Sequence, residues 1–195
     1  MPIARAAESP SPPARGEYAA AETPRFVTVA PARFLAKVGR GEPGGAVFQA
    51  DVAALCTVAE ELARRGVAVE PAFLEALWWT PDVTHGPFTW ELLLRLGPGV
   101  TIGRAELAEV AAAIQDQEAS RAVRVQELNE GECVQTLHRG PYDAVGPAVA
   151  RLEAAAREAG RRLAPPIHEI YLNGPPTPPE ALRTIVRHPL APLEG

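Results

Sequence analysis

Twice in this chain a glycine suited to ending a helix is followed nine residues later by a glutamate in an apolar stretch: Gly66 to Glu75 in GVAVEPAFLEALWW, and Gly160 to Glu169 in GRRLAPPIHEIYLN. Each copy also carries a proline five residues past its glycine, Pro71 and Pro165. The same spacing at two places 94 residues apart implies a duplicated unit whose halves meet about a pseudo-twofold axis. Two carboxylates would then face one shared groove.

The segments around each copy support that reading. FVTVAPARFLAKVG has β-branched and aromatic residues on both sides of Pro31, as in an edge strand or two short strands broken at the proline. Phe48, Val52, Leu55, Ala59 and Leu62 recur at helical intervals before Gly66. FLEALWW and FTWELLLRLG read as strands, which makes the first unit β-α-β-β over residues 25–100. A connecting helix is expected over 104–118, with Leu107, Val110, Ala111 and Ile114 on one face. The pattern then returns over 121–190: strand residues from Val123 to His138, a helix carrying Val145, Val149, Leu152 and Ala156 up to Gly160, and the strands HEIYLN and LRTIVRHPL. The fold expected is α+β: duplicated β-α-β-β units forming an antiparallel sheet, with helices on one face and a concave ligand groove on the other. Residues 1–24, rich in Ala, Pro, Ser and Glu without periodicity, are expected to be a disordered leader to a domain over 25–190, and one too short for a helix-turn-helix.

Composition excludes several classes of function. A net charge of -5 with no basic run does not supply the electrostatic footprint that nucleic acid needs. No stretch has the length and apolarity of a membrane span or signal peptide, so a cytoplasmic protein with a small-molecule partner is expected, as monomer or homodimer. Cys56 and Cys133 stand alone and read as buried thiols. The histidines His85, His138, His168 and His188 form no metal-ligand spacing, so neither metal nor other cofactor is expected. No nucleophile elbow or phosphate loop is present.

Strand alternation groups Glu169, Tyr171 and Asn173 on one face, and Phe73, Glu75, Leu77 and Trp79 on another. An isolated strand glutamate is ordinarily a solvated surface residue. Recurrence at matched offsets argues instead for a pair in one groove, where burial would raise their pKa toward the range useful for proton transfer. Trp78 and Trp79 are adjacent, so one should pack in the core and the other line the opposite face. His138 and Tyr142 flank the turn before the second helix, where they would either reach over the groove mouth or serve the turn itself. His85, in THGP, reads as an exposed turn residue.

TLHRGPYDAVG, PPIHEIYLNGP and TPPEALRTIVRHPL resemble the GyrI-like small-molecule-binding family. FLEALWWT, GPFTWELLLRL and ECVQTLHRGPYD are similar more narrowly to its stand-alone branch, some of whose members are cyclopropanoid cyclopropyl hydrolases. The likeness runs in order from Phe26 to Pro189. It implies two β-α-β-β units with an aromatic-lined groove around a central acidic residue. By that resemblance Glu169 is the central glutamate, Tyr171 its neighbour, Trp78 and Trp79 the aromatic pair, and Glu75 the acidic residue just before the pair.

The function expected is a hydrolase that opens the cyclopropane ring of flat, apolar, DNA-alkylating electrophiles, giving self-protection or detoxification. Glu169 or Glu75 would act as base for water, and Tyr171 or a protonated second glutamate as donor to the developing oxyanion. Trp78, Trp79 and Trp90 would form stacking walls. The alternative is a non-catalytic multidrug-binding protein for planar cations, with glutamates as counter-charges and tryptophans as cation-π partners. A third reading, an inhibitor docking to another protein, requires a large exposed apolar patch.

Overall fold

A computed structural model of the chain describes residues 16–69, 73–79, 88–114 and 117–193. Its strands and helices follow in the order β1 (Arg25–Val29), β2 (Ala32–Gly41), α1 (Ala46–Arg64), β3 (Leu74–Trp79), β4 (Phe88–Arg95), α2 (Arg104–Ala112), α3 (Gln117–Arg121), β5 (Arg124–Leu128), β6 (Gly131–Arg139), α4 (Gly146–Glu158), β7 (Arg161–Leu163), β8 (Ile167–Tyr171) and β9 (Arg183–Pro192). The architecture is α+β, a large antiparallel sheet with helices packed on it.

Duplication is written into the strand order, β1-β6-β9-β8-β3-β4-β2-β5, with β7 added beside β9. Exchanging β1 with β5, β2 with β6, β3 with β8 and β4 with β9 leaves this order unchanged. The central antiparallel pair, β3 with β8, lies where the two halves meet. Pro31 does interrupt the first strand, and the interruption serves the topology. β1 pairs with β6 as far as Val29↔Gly131, and β2 pairs with β5 from Ala32↔Leu128, in one continuous register. This brings the two ends of the strand order together.

Both long helices end where a glycine takes a left-handed conformation, Gly66 at φ 84° and Gly160 at φ 68°, as their helix-stop role requires. The connecting helix expected over 104–118 is two shorter ones, α2 and α3. α1 packs on β2 and β4, and α4 on β6, β7 and β9. Each helix thus seats mainly on the outer strands of its own half, with the central pair β3 and β8 lying between them. The core under α1 joins Leu55, Val58 and Leu62 to Leu35, Ala76, Trp90 and Leu92, and that under α4 joins Ala148 and Leu152 to Val134 and Val186.

The face turned away from the helices is closed, which reverses the expected position of the groove. Phe34, Ala36, Leu77 and Leu93 form one apolar cluster there, and Tyr18, Phe73, Ile170 and Ile185 another. Tyr18 comes from the segment expected to be a disordered leader. Gly16–Tyr18 is a single 3-10 turn, Tyr18 is buried, Gln135 donates to the Glu17 and Ala19 carbonyls, and Thr136 lies within hydrogen-bond distance of those of Ala21 and Glu22. Residues 1–15, and with them most of that leader, lie outside the described residues, as do Pro71 and His85. No helix among the described residues is long and apolar enough to cross a membrane. Cys133 is buried and Cys56 half-buried, both as free thiols.

Candidate functional site

The gap between α1 and α4 forms a cavity of about 720 Å³, floored by β3 and β8. Alternation along β8 sends Glu169 and Tyr171 into it, and the pairing Trp78↔Ile167 brings Trp78 of β3 to the same side. Glu169 is only 8% exposed. Its Oε2 accepts hydrogen bonds from the Tyr171 hydroxyl at 2.8 Å and from Trp78 Nε1 at 3.2 Å. Trp78 Nε1 also lies 3.3 Å from the Tyr171 oxygen, so the three groups form a closed polar triangle on an apolar floor.

The walls are aromatic. Phe48 of α1 stacks on Trp78 with centroids 5.7 Å apart and an 8° interplanar angle, and Phe88 meets the Trp78 ring edge-on at 6.3 Å. On the α4 side Tyr142, 39% exposed, stands edge-on to Tyr171 at 5.2 Å, with its hydroxyl directed at the Asn173 carbonyl at 3.4 Å. Burial pushes the Glu169 carboxyl above the ordinary carboxylate range, opposed by the Tyr171 and Trp78 hydrogen bonds and the nearby His168 charge. Burial, and then the Glu169 charge, raise both Tyr171 and Tyr142, keeping these phenols protonated as donors. The arrangement can hold a flat apolar molecule against a buried carboxylate with phenol donors at its edge.

Behind the Trp78 wall lies Trp90, fully buried and edge-on to both Trp78 and Phe48. Its indole N–H donates to Asp51 Oδ2 at 3.0 Å, while Asp51 Oδ1 pairs with Lys37, the only lysine in the chain, at 3.1 Å. Trp90 therefore supports the wall and does not line it.

Besides Trp90, three more expected site residues do not line the cavity. Glu75 pairs with Ile170, whereas Ala76 is the residue facing Glu169, so the two glutamates point to opposite faces of the sheet. Because side chains alternate, a single-residue difference in register is enough to reverse a face. Glu75 instead accepts hydrogen bonds from Tyr18 at 2.8 Å and His168 Nε2 at 2.8 Å on the sealed face. Trp79, 39% exposed, follows the alternation away from the cavity, and one tryptophan, Trp78, both packs beneath α1 and lines the groove. His138 is buried with Nε2 2.9 Å from the Pro141 carbonyl oxygen, a turn contact outside the cavity lining.

The sealed face holds a polar network absent from the sequence reading. His168, 0% exposed, lies between Glu75 and Glu130, with Nδ1 2.9 Å from Glu130 Oε1. Arg187 binds Glu130 at 2.8 Å and Gln135 at 2.8 Å, and Arg95 meets Glu17 and the Tyr18 hydroxyl. Although burial alone would lower it, the Glu130 and Glu75 carboxylates push His168 up to about 9, and His168 and Arg187 pull Glu130 down to about 2 against the opposing effect of burial. Among the described residues, no group of His, Cys, Asp and Glu side chains is placed to hold a metal ion.

An antiparallel α+β sheet of duplicated halves with a buried carboxylate in an aromatic cavity defines a small-molecule-binding protein. The chain belongs to the GyrI-like small molecule binding domain family, whose model matches residues 22–191. Among solved structures it is similar to a hydrolase from Listeria innocua, at 26% identity and TM-score 0.76, covering 90% of this chain and 95% of that one. An uncharacterized conserved protein from Listeria innocua matches at 26% identity and TM-score 0.79, with the same coverage. The EcmrR C-terminal domain shares the fold at 14% identity and TM-score 0.64, covering 87% of this chain and 98% of that one. No curated protein matches the chain.

Proposed function

We propose that the protein is a hydrolase that opens the strained ring of flat, apolar, cyclopropane-bearing electrophiles, in a detoxifying or self-protecting role. The observation that carries this reading is Glu169: a buried carboxylate at the floor of an apolar aromatic cavity, held by Tyr171 and Trp78. The likeness to a Listeria innocua hydrolase supports it.

In the proposed reaction Glu169 takes a proton from water as the water oxygen bonds to the ring methylene. The ring C–C bond breaks, and its electron pair moves through the conjugated system onto the carbonyl oxygen. That oxygen is protonated as the site resets, for a net addition of one water. The base is a single carboxylate. Because Glu75 is on the other face, a proton shared between two glutamates has no part in the mechanism, and the phenols of Tyr142 and Tyr171, which line the cavity, serve as donors to the ligand. Trp78, Phe48 and Phe88 supply the apolar walls.

Glu169→Gln keeps volume and hydrogen-bonding capacity but removes the proton acceptor. Incubation with a cyclopropane-bearing alkylator, followed by mass spectrometry, should show loss of the water-addition product, with binding of a neutral product analogue retained. Full turnover in this variant would refute the proposed base. The same cage of aromatics around one carboxylate also suits a planar cation, the second reading, in which Glu169 is a counter-charge. Under that reading the wild-type protein forms no product, and Glu169→Gln weakens a planar cationic dye while sparing a neutral one.

A further inference from the structure

The hydrogen-bond donors that line the Glu169 cavity are held unequally. The one proton of the Tyr171 hydroxyl is given to Glu169 Oε2 at 2.8 Å, and Trp78 Nε1 is shared between that same oxygen and the Tyr171 oxygen. Asn173 Nδ2 donates to the Ala181 carbonyl at 3.0 Å, while Asn173 Oδ1 accepts from the Arg183 backbone N–H at 2.7 Å. Among the described lining residues, two donors are held only loosely. The Tyr142 hydroxyl lies 3.4 Å from the Asn173 carbonyl, and Gln49 Nε2 lies 3.5 Å from that of Gly44, both at the long limit of a hydrogen bond. Each can turn to a ligand at little cost.

The proposed reaction needs its base and its donor apart. In a ring where a cyclopropane is conjugated with a carbonyl, the methylene that water attacks and the oxygen that receives the electron pair stand at opposite ends of the conjugated system. Glu169, on the floor, is 8% exposed, and Tyr142, in the single 3-10 turn Tyr142–Ala144, stands on the rim at 39%. A donor bonded to Glu169 cannot serve the far oxygen while it holds the base, but a donor on another wall can. Of the two loose donors Tyr142 is the better match. A phenol O–H is close in acidity to the enol or phenol that ring opening forms, and a side-chain amide is a far weaker acid.

We infer that Tyr142 is the donor that meets the developing oxyanion, an assignment that rests on the hydrolase reading of the cavity. The substrate then lies with its cyclopropane end against Glu169 and its carbonyl end toward Tyr142. Tyr171 is a positioning residue, which acts through the base it holds. As the water oxygen bonds to the methylene and the water proton passes to Glu169, the ring C–C bond breaks. Its electron pair ends on the carbonyl oxygen, which the Tyr142 O–H stabilises by a hydrogen bond. Burial and the Glu169 charge raise the Tyr142 phenol, so it keeps its proton. The carbonyl oxygen takes a proton from solvent at the rim and Glu169 returns its own, for a net addition of one water.

Tyr142→Phe keeps the ring and should leave the melting temperature unchanged. With a cyclopropane-bearing alkylator it should lower kcat about 10-fold or more, with KM and the acidic limb of the pH–rate profile in place, whereas Gln49→Ala should keep wild-type kcat. An arm without turnover uses 4-nitro-1-naphthol, a flat two-ring phenol whose anion absorbs in the visible and stands in for the oxyanion. Titrated while bound, its acid dissociation constant should fall about 10-fold in Tyr142→Phe, because the hydrogen bond that favours the anion is gone. It should not fall in Tyr171→Phe, where loss of the Tyr171 hydrogen bond makes Glu169 easier to neutralise. Wild-type kcat in Tyr142→Phe, or an unchanged dissociation constant there, would overturn the assignment. So would a fall in Tyr171→Phe or Gln49→Ala instead, or no binding of the naphthol to the wild type up to about 1 mM. Absence of product from the wild type would sink the hydrolase reading by itself, and the naphthol arm still decides whether Tyr142 meets an oxyanion in this cavity.

Discussion

His168 and Glu169 are consecutive on β8 and serve opposite faces of the sheet. The imidazole is clamped between Glu75 and Glu130 in a sealed ionic network, and the carboxyl stands on the floor of the ligand cavity. One strand therefore carries a stability device and the candidate base side by side, and substitutions on its two faces should separate cleanly.

The first expected outcome concerns pH. His168 holds its proton more tightly folded, to about 9, than in an unfolded chain, where a histidine titrates near 6.5. Its stabilising contribution is therefore complete below about pH 6.5 and is lost as pH rises through about 9. Cys56 and Cys133, raised chiefly by burial, act in the same direction, so the comparison must be made with His168→Gln. Denaturant unfolding from pH 6 to 10 should fall more steeply for the wild type than for this variant. Parallel slopes would contradict the clamp.

Glu75→Gln should behave as a stability variant. It removes one charge from a buried, paired network and is expected to cost about 3 kcal/mol. Turnover per folded molecule should stay close to wild type, because no atom of Glu75 is needed in the cavity. Denaturant melts with activity normalised to the folded fraction check this, and loss of turnover at unchanged stability would return Glu75 to the reaction.

Tyr171→Phe addresses the other face. The Tyr171 hydrogen bond favours the ionised form of Glu169, so its removal raises the Glu169 pKa further. If Glu169 is the base, the acidic limb of the pH–rate profile should move to higher pH. A limb that stays in place while kcat falls would assign Tyr171 to proton donation alone.

Gly39 marks the anchor behind the aromatic wall. A Cβ there would fall 2.0 Å from Asp51 Oδ2 and 2.3 Å from Trp90 Nε1, inside the contact that ties α1 to the sheet. Gly39→Ala should cost about 2 kcal/mol and weaken ligand binding by displacing Trp90 from behind Trp78. Thermal melts and ligand titration check both effects, and wild-type values in each would show that the anchor yields without consequence.

Much of this molecule is local and could be read along the chain. Apolar residues at helical intervals before Gly66 and Gly160 specify α1 and α4, because each helix must bury one stripe and each glycine accepts the left-handed conformation that stops it. Alternation placed Glu169 with Tyr171, and Trp78 opposite Trp79, since side chains on a strand have a period of two. The resemblance of whole segments located the family. What a chain taken one residue at a time does not contain is the register between segments far apart in it. Whether Glu75 or Ala76 faces Glu169 depends on how β3 pairs with β8, and a difference of one residue turns the side chain to the other face. Phe48 had the periodicity of a core residue and became a cavity wall, because α1 covers β2 and β4 and stops short of the centre. Tyr18 lies in a stretch without periodicity and is buried all the same. Its partners, Glu75 and Arg95, are more than fifty residues away, and only the assembled sheet brings them to it.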